Sequence, residues 1–118
     1  MARILIADDD QNVRDLASRA LRGDGHTVLT ACDGRDAEQR LAGEAFDVLI
    51  SDVEMPGCGG FELVERFAAA KPGLRFLLIS GFVEKLAQTT DLPAGRLVTL
   101  PKPFTLEQLR AKVRRLLG

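Results

Sequence analysis

The sequence predicts an α/β fold, a doubly wound sheet of five parallel strands with helices on both faces. Three observations point there. Five short apolar runs recur along the chain, each the length of a buried strand. Most of the segments between them carry apolar residues at three- and four-residue steps, the period of an amphipathic helix. Parallel neighbours need crossovers, and the crossovers here read as helical.

The first run, Arg3 to Ala7, has no polar alternation and reads as a strand buried on both faces. It ends in three acids, Asp8, Asp9 and Asp10. Asp10 can cap a helix whose inward stripe is Val13, Leu16, Ala17, Ala20 and Leu21, with Gly23 as its stop. Thr27 to Ala31 is the second strand. Asp33-Gly34 breaks it before a helix with Ala37, Leu41 and Ala42 on one side, ended by Gly43. The third strand, Asp47 to Ser51, leads to Asp52 and a loop over Pro56 to Gly60. The helix from Phe61 to about Ala70 turns Phe61, Val64, Phe67 and Ala68 inward and stops at Lys71-Pro72-Gly73. Leu74 to Ile79 is the fourth strand and closes on Ser80-Gly81. A fourth helix over Val83 to Thr90 is poorly written, with only Val83, Leu86 and Ala87 to bury. Leu97 to Leu100 is the fifth strand, closed by Pro101-Lys102-Pro103. Thr105 and Gln108 make a capping box for a last helix that buries Leu106, Leu109, Val113, Leu116 and Leu117.

At 118 residues the chain suits one domain with a single shared core. With 46% hydrophobic and 28% charged residues and a net charge of -1, it has the make-up of a soluble globule, without the basic excess of a direct nucleic-acid binder. Its apolar runs fall far short of the roughly 18 to 20 residues that span a bilayer, and the N-terminus has no secretory signal pattern. A cytoplasmic protein without membrane contact is expected. Cys32 and Cys58 lie outside any CxxC or Cys/His spacing and read as incidental, and His26 reads as a solvated loop residue.

In an open parallel sheet, the carboxyl ends of the strands border the ligand crevice. That rule gathers Asp8, Asp9, Asp52, Ser80 and Lys102 at one edge. Singly, each has a bland explanation: Asp52 starts a turn, the Asp run favours a helix N-terminus, and Lys102 is a surface lysine. Together they describe a cleft whose carboxylates repel one another unless a cation is present, and oxygen ligands at a wet site favour magnesium. A carboxylate there can attack phosphorus and become an aspartyl phosphate, with magnesium and Lys102 neutralising the phosphoryl oxygens and Ser80 offering a hydroxyl. The same hydroxyl could work a switch as it is drawn toward a new phosphoryl group, and Gly81 leaves room for that movement.

From Arg3 to Leu117 the chain resembles the receiver domain of two-component response regulators. The matching motifs are Asp8-Asp9 after the first strand, Asp52 with Met55-Pro56 and Gly60 behind it, Ser80-Gly81, and Lys102-Pro103-Phe104. The resemblance implies a flavodoxin-like sheet in the order 2-1-3-4-5, with Asp52 as phosphoacceptor. It further implies Mg2+ (or Mn2+) held directly by Asp9, Asp52 and the backbone carbonyl of Glu54 and through water by Asp8, with Ser80 and Lys102 contacting the phosphoryl group. It implies a cis Lys102-Pro103 peptide, a histidine kinase or histidine phosphotransferase as donor, and a switching surface around the fourth helix, fifth strand and last helix. The receiver would support its own phosphorylation and dephosphorylation without being an enzyme in the ordinary sense.

Ser80 stands where threonine is commoner in the family, and the hydroxyl is kept. Thr99 stands where many receivers carry a switching aromatic, and Phe82 is the candidate substitute. Gly59 replaces a frequent acid. The runs Ile79 to Phe82 and Leu100 to Phe104 are similar to single-domain regulators and to C-terminal receivers of hybrid histidine kinases. Output is then expected through a downstream protein partner, a relay role or a separate domain, with homodimerisation open. Two other readings stand beside this one. A pseudo-receiver would bind partners without phosphotransfer, but the set of Asp8, Asp9, Asp52 and Lys102 is complete. A flavodoxin-like carrier would need a Ser/Thr/Gly-rich phosphate loop where three aspartates lie, and an aspartyl phosphatase would want Thr or Val after Asp10.

Overall fold

A computed structural model describes residues 1–82, 84, 92, 93 and 95–118. The strands are β1 (Arg3–Ala7), β2 (Thr27–Ala31), β3 (Val48–Asp52), β4 (Arg75–Ser80) and β5 (Leu97–Pro101). The helices are α1 (Gln11–Gly23), α2 (Gly34–Gly43), α3 (Gly60–Phe67) and α4 (Leu106–Leu117). The helix expected over Val83 to Thr90 lies, but for Glu84, outside the described residues.

All strand pairs are parallel, in the order β2-β1-β3-β4-β5. Alternation along β1 explains the two layers of helices. Ile4 and Ile6 point to a core built with Ala17 and Leu21 of α1 and Leu109, Val113 and Leu116 of α4. Leu5 and Ala7 point the other way, to Ala37 and Leu41 of α2 and Leu63, Val64 and Phe67 of α3. Because successive strand residues face opposite sides, a sheet that is apolar at every position must be covered twice.

Caps fix where helices begin. Asp10 accepts the Asn12 N–H at 2.9 Å, and Asp33 accepts the Asp36 N–H at 2.8 Å. The Thr105 hydroxyl accepts the Gln108 N–H at 3.1 Å while the Gln108 side chain accepts the Thr105 N–H at 2.9 Å, completing the expected box. Thr105→Ala should therefore lower stability by about 1 kcal/mol, read as a shift in the urea midpoint at unchanged slope.

Several details differ from the sequence-based expectation. β3 runs one residue later, so Asp52 is the last strand residue; the Asp47 carboxylate instead accepts the Arg3 N–H at 2.7 Å. α3 stops at Phe67 rather than near Ala70. Arg96 draws off the carbonyls there, donating to Ala68 O at 2.5 Å and Lys71 O at 2.9 Å. Leu16, Ala42 and Leu117, expected inward, are exposed, Leu16 at 52% and Leu117 at 38%. His26 is not simply solvated: its Nδ1 accepts the Ala2 N–H at 3.2 Å and ties the N-terminus to the turn before β2. Cys58 is buried in the α2/α3 core, which pushes its thiol up to about 11. Among the described residues no helix is long and apolar enough to cross a membrane.

Candidate functional site

The site lies where the C-terminal ends of β1, β3, β4 and β5 meet. Register does the placing: Ala7 pairs with Ser51, so Asp8 and Asp52 emerge side by side, and Ser80 pairs with Pro101, so Lys102 follows directly beside it. Carboxylate oxygens of Asp8, Asp9 and Asp52 all lie within 4.8 Å of one another. The Lys102 ammonium reaches across from the loop after β5, 2.9 Å from Asp52 Oδ2 and 3.2 Å from Asp8 Oδ2.

Backbone groups hold these side chains in place. Asp8 Oδ1 accepts the Asp10 N–H at 2.9 Å, and Asp52 Oδ1 accepts the Glu54 N–H at 3.2 Å. Arg14, which no sequence motif singles out, donates to the Asp8 carbonyl at 2.6 Å and pins the loop after β1. Its position one helical turn into α1 is the only signal that could have found it. The Lys102 N–H donates to Ser80 O at 2.8 Å, and the Lys102–Pro103 peptide is cis, as the resemblance implied.

Electrostatics follow from burial. Asp8 is 1% and Asp52 6% exposed. Burial pushes the Asp52 carboxyl up to about 6; the Asp8 charge adds to the rise, and the hydrogen bond from Lys102 opposes it. For Lys102 burial works against the ammonium, but Asp52 and Asp8 outweigh it and its pKa is raised. Asp8 Oδ2 is buried and, among the described residues, accepts no hydrogen bond of good geometry; the ion pair with Lys102 is what faces it. Two nearly buried carboxylates and a third nearby, gathered around the Lys102 ammonium, leave uncompensated negative charge. Such an all-oxygen donor set fits a hard divalent cation.

Asp8, Asp9, Asp52 and Lys102 thus converge as the sequence predicted. Ser80 joins the same edge, but its hydroxyl does not turn to Asp52: it donates to Glu54 Oε1 at 2.7 Å. The resemblance points to Glu54 for its backbone carbonyl and, with Phe82, as a position that influences hydrolysis in the family; that its side chain meets Ser80 has no sequence signal. Phe82 is 53% exposed, and its N–H donates to Ser80 Oγ at 2.9 Å. Thr99 sits in the middle of β5, opposite Leu78 and partly buried.

A family model for the response regulator receiver domain matches residues 4–114. The chain belongs to that family. Membership carries phosphorylation-based signalling in two-component systems. The receiver is 37% identical over 115 residues to the response regulator MprA of Mycobacterium ulcerans, an alignment that takes in 98% of this chain and 50% of that protein. It spans about half the length of the curated relatives it matches. Among solved structures, the chemotaxis response regulator CheY4 of Vibrio cholerae superposes with a TM-score of 0.87 at 33% identity, covering 98% of each chain. The response regulator TrrA of Thermotoga maritima, solved in complex with Mg2+-BeF, superposes with a TM-score of 0.83 at 29% identity, covering 98% of this chain and 99% of that one.

Proposed function

We propose that this receiver takes a phosphoryl group from a phosphohistidine of a histidine kinase or histidine phosphotransferase onto Asp52. The observation that carries the reading is the Lys102 ammonium at bonding distance from both Asp52 and Asp8, within a cluster of three carboxylates. An Asp52 oxygen attacks phosphorus, the P–N bond breaks with its electron pair going to the imidazole, and the imidazole nitrogen takes a proton from solvent. An acyl phosphate remains on Asp52. Lys102 follows the transferred charge, moving from the carboxylate to the phosphoryl oxygens. Asp8, Asp9, Asp52 and the Glu54 carbonyl are the groups that would hold Mg2+ (or Mn2+), which when bound neutralises charge on the phosphoryl oxygens. With its carboxyl near 6, Asp52 is mostly ionised at neutral pH and available as nucleophile.

The direct test is incubation with acetyl phosphate and magnesium. One added phosphoryl group by intact mass supports the reading, and an unmodified mass under conditions that label other receivers overturns it.

A groove of about 400 Å³ between α1 and the loop after β5 supports a protein donor. It is lined by Val13, Leu16, Ala17, Pro103, Phe104 and Leu106, with Lys102 belonging both to it and to the site. An apolar surface continuous with the phosphoacceptor suits a partner that must bring its phosphohistidine to Asp52, and it accounts for Leu16 lying in the open. Leu16→Glu should slow transfer from the phosphorylated protein donor about tenfold or more, while labelling by acetyl phosphate is unchanged. Equal slowing with both donors would count against the groove as the docking face. Downstream, the loop after β4 and the surface beyond it would be read by a protein partner or a second copy of the chain, with Ser80 as the moving group.

A further inference from the structure

We propose that Glu54 is a positioning residue that holds the Ser80 hydroxyl away from Asp52 until a phosphoryl group competes for it. The inference rests on the phosphoacceptor reading above and extends it to how the switch is set.

A single proton is at issue. Ser80 is fully buried, and its hydroxyl has one proton to give and lone pairs to accept with. Phe82 N–H occupies an acceptor position at 2.9 Å. The single proton goes to Glu54 Oε1 at 2.7 Å, the short distance of a charge-assisted bond. An ionised carboxylate has no proton of its own, so in this contact Ser80 must be the donor. A phosphoryl group on Asp52 is likewise rich in acceptors, and Ser80 can serve it only by donating. Glu54 and the phosphoryl group therefore compete for one hydrogen, and the hydroxyl cannot satisfy both in full.

Geometry makes the exchange feasible. Glu54 lies two residues beyond Asp52 and its N–H already donates to Asp52 Oδ1 at 3.2 Å, so the holding group and the phosphoacceptor share one short loop. Beside Ser80, Gly81 carries no side chain, and no heavy atom of the described residues, its chain neighbours aside, lies within 4 Å of where a Cβ would stand. The hydroxyl can turn without a side chain at 81 in the way. The unphosphorylated arrangement is thus stabilised by a bond that phosphorylation must break, which raises the threshold for switching.

The test uses the whole chain with beryllofluoride and saturating magnesium as the probe, in a double-mutant cycle. Glu54→Ala should tighten beryllofluoride binding about tenfold or more, the size of one hydrogen bond to a charged group, and Glu54→Gln, which keeps a weaker acceptor, should fall between. In a Ser80→Ala background the Glu54→Ala effect should vanish. An equal effect with and without the Ser80 hydroxyl would mean simple charge repulsion and would overturn the proposal, as would no effect in the Ser80 protein. A second readout needs no phosphoryl analogue. The Phe82 amide resonance, which reports on Ser80 Oγ, should move in Glu54→Ala and less in Glu54→Gln; an unchanged resonance overturns the proposal. If the wild type failed to bind beryllofluoride, the phosphoacceptor reading would fall, while this second readout would still decide whether Glu54 holds Ser80.

Discussion

Asp52→Asn should abolish covalent labelling by acetyl phosphate and by a phosphohistidine donor, and at neutral pH it should leave the fold more stable than the wild type. The first result follows from the site: an amide oxygen at position 52 is not a nucleophile that can carry the acyl phosphate, and neither Asp8 nor Asp9 takes its place while Asp8 is buried against Lys102. Residual labelling at the wild-type level would remove Asp52 from its role. The second result follows from linkage. The Asp52 carboxyl is raised from 3.8 to about 6 on folding, so between those values the folded chain binds more protons than the unfolded one. Stability therefore falls as pH rises through that window, and above it the full cost remains, on the order of 3 kcal/mol. The amide of the variant does not ionise and escapes that cost, though Lys102 then keeps only Asp8 as partner, so the net gain is on the order of 1 to 2 kcal/mol. Urea midpoints measured without divalent cations from about pH 4 to 7.5 should decline for the wild type and run flatter for the variant. Millimolar magnesium should raise the wild-type midpoint and raise that of Asp52→Asn less.

Gly34→Ala should be among the most damaging single-methyl additions in the chain. A Cβ built on Gly34 would stand 1.9 Å from Cys58 O and 2.2 Å from Cys58 N, atoms of backbone that have no rotamer to escape into. The same stretch is bound from the other side, since the Gly34 N–H donates to Pro56 O at 3.0 Å and Cys58 is itself buried. Either the first turn of α2 or the loop from Val53 to Gly60 must shift, at a cost of about 3 kcal/mol or more. Gly43→Ala, at the other end of α2 with open space around it, is the control and should be neutral or slightly stabilising. Because the displaced loop begins one residue after Asp52, phosphorylation of Gly34→Ala should also slow under conditions where it remains folded. A urea midpoint within error of wild type would show that the contact is slack.

Asp8, Asp9, Asp52, Ser80 and Lys102 were legible in the sequence because each terminates an apolar run, and parallel strands bring those ends to one edge. Caps at Asp10, Asp33 and Thr105 were legible for the same local reason. What escaped depends on distances the sequence does not encode by period. Leu16, Ala42 and Leu117 obey helical spacing, but spacing gives the direction of an apolar stripe and not its width, and these three stand at or beyond its margin. Gly34 reads as a strand breaker next to Asp33; the pressure on it comes from Cys58, in a loop that is distant along the chain. The Glu54–Ser80 bond joins two loops whose pairing has no pattern to betray it, and the short stretch around Glu54 shows only an acid of a common kind.

The pairing of Ala7 with Ser51 and of Asp52 with Ile79 has a consequence for how such a chain can vary. A slip of either inner ladder by a single position would exchange which side chains meet the α1/α4 core and which meet the α2/α3 core, and the same slip would turn an acid away from its neighbours. Greasy residues with no chemistry of their own are thus the gauge that sets spacing among the charged ones. Drift in the interior is tolerated only so far as it keeps count.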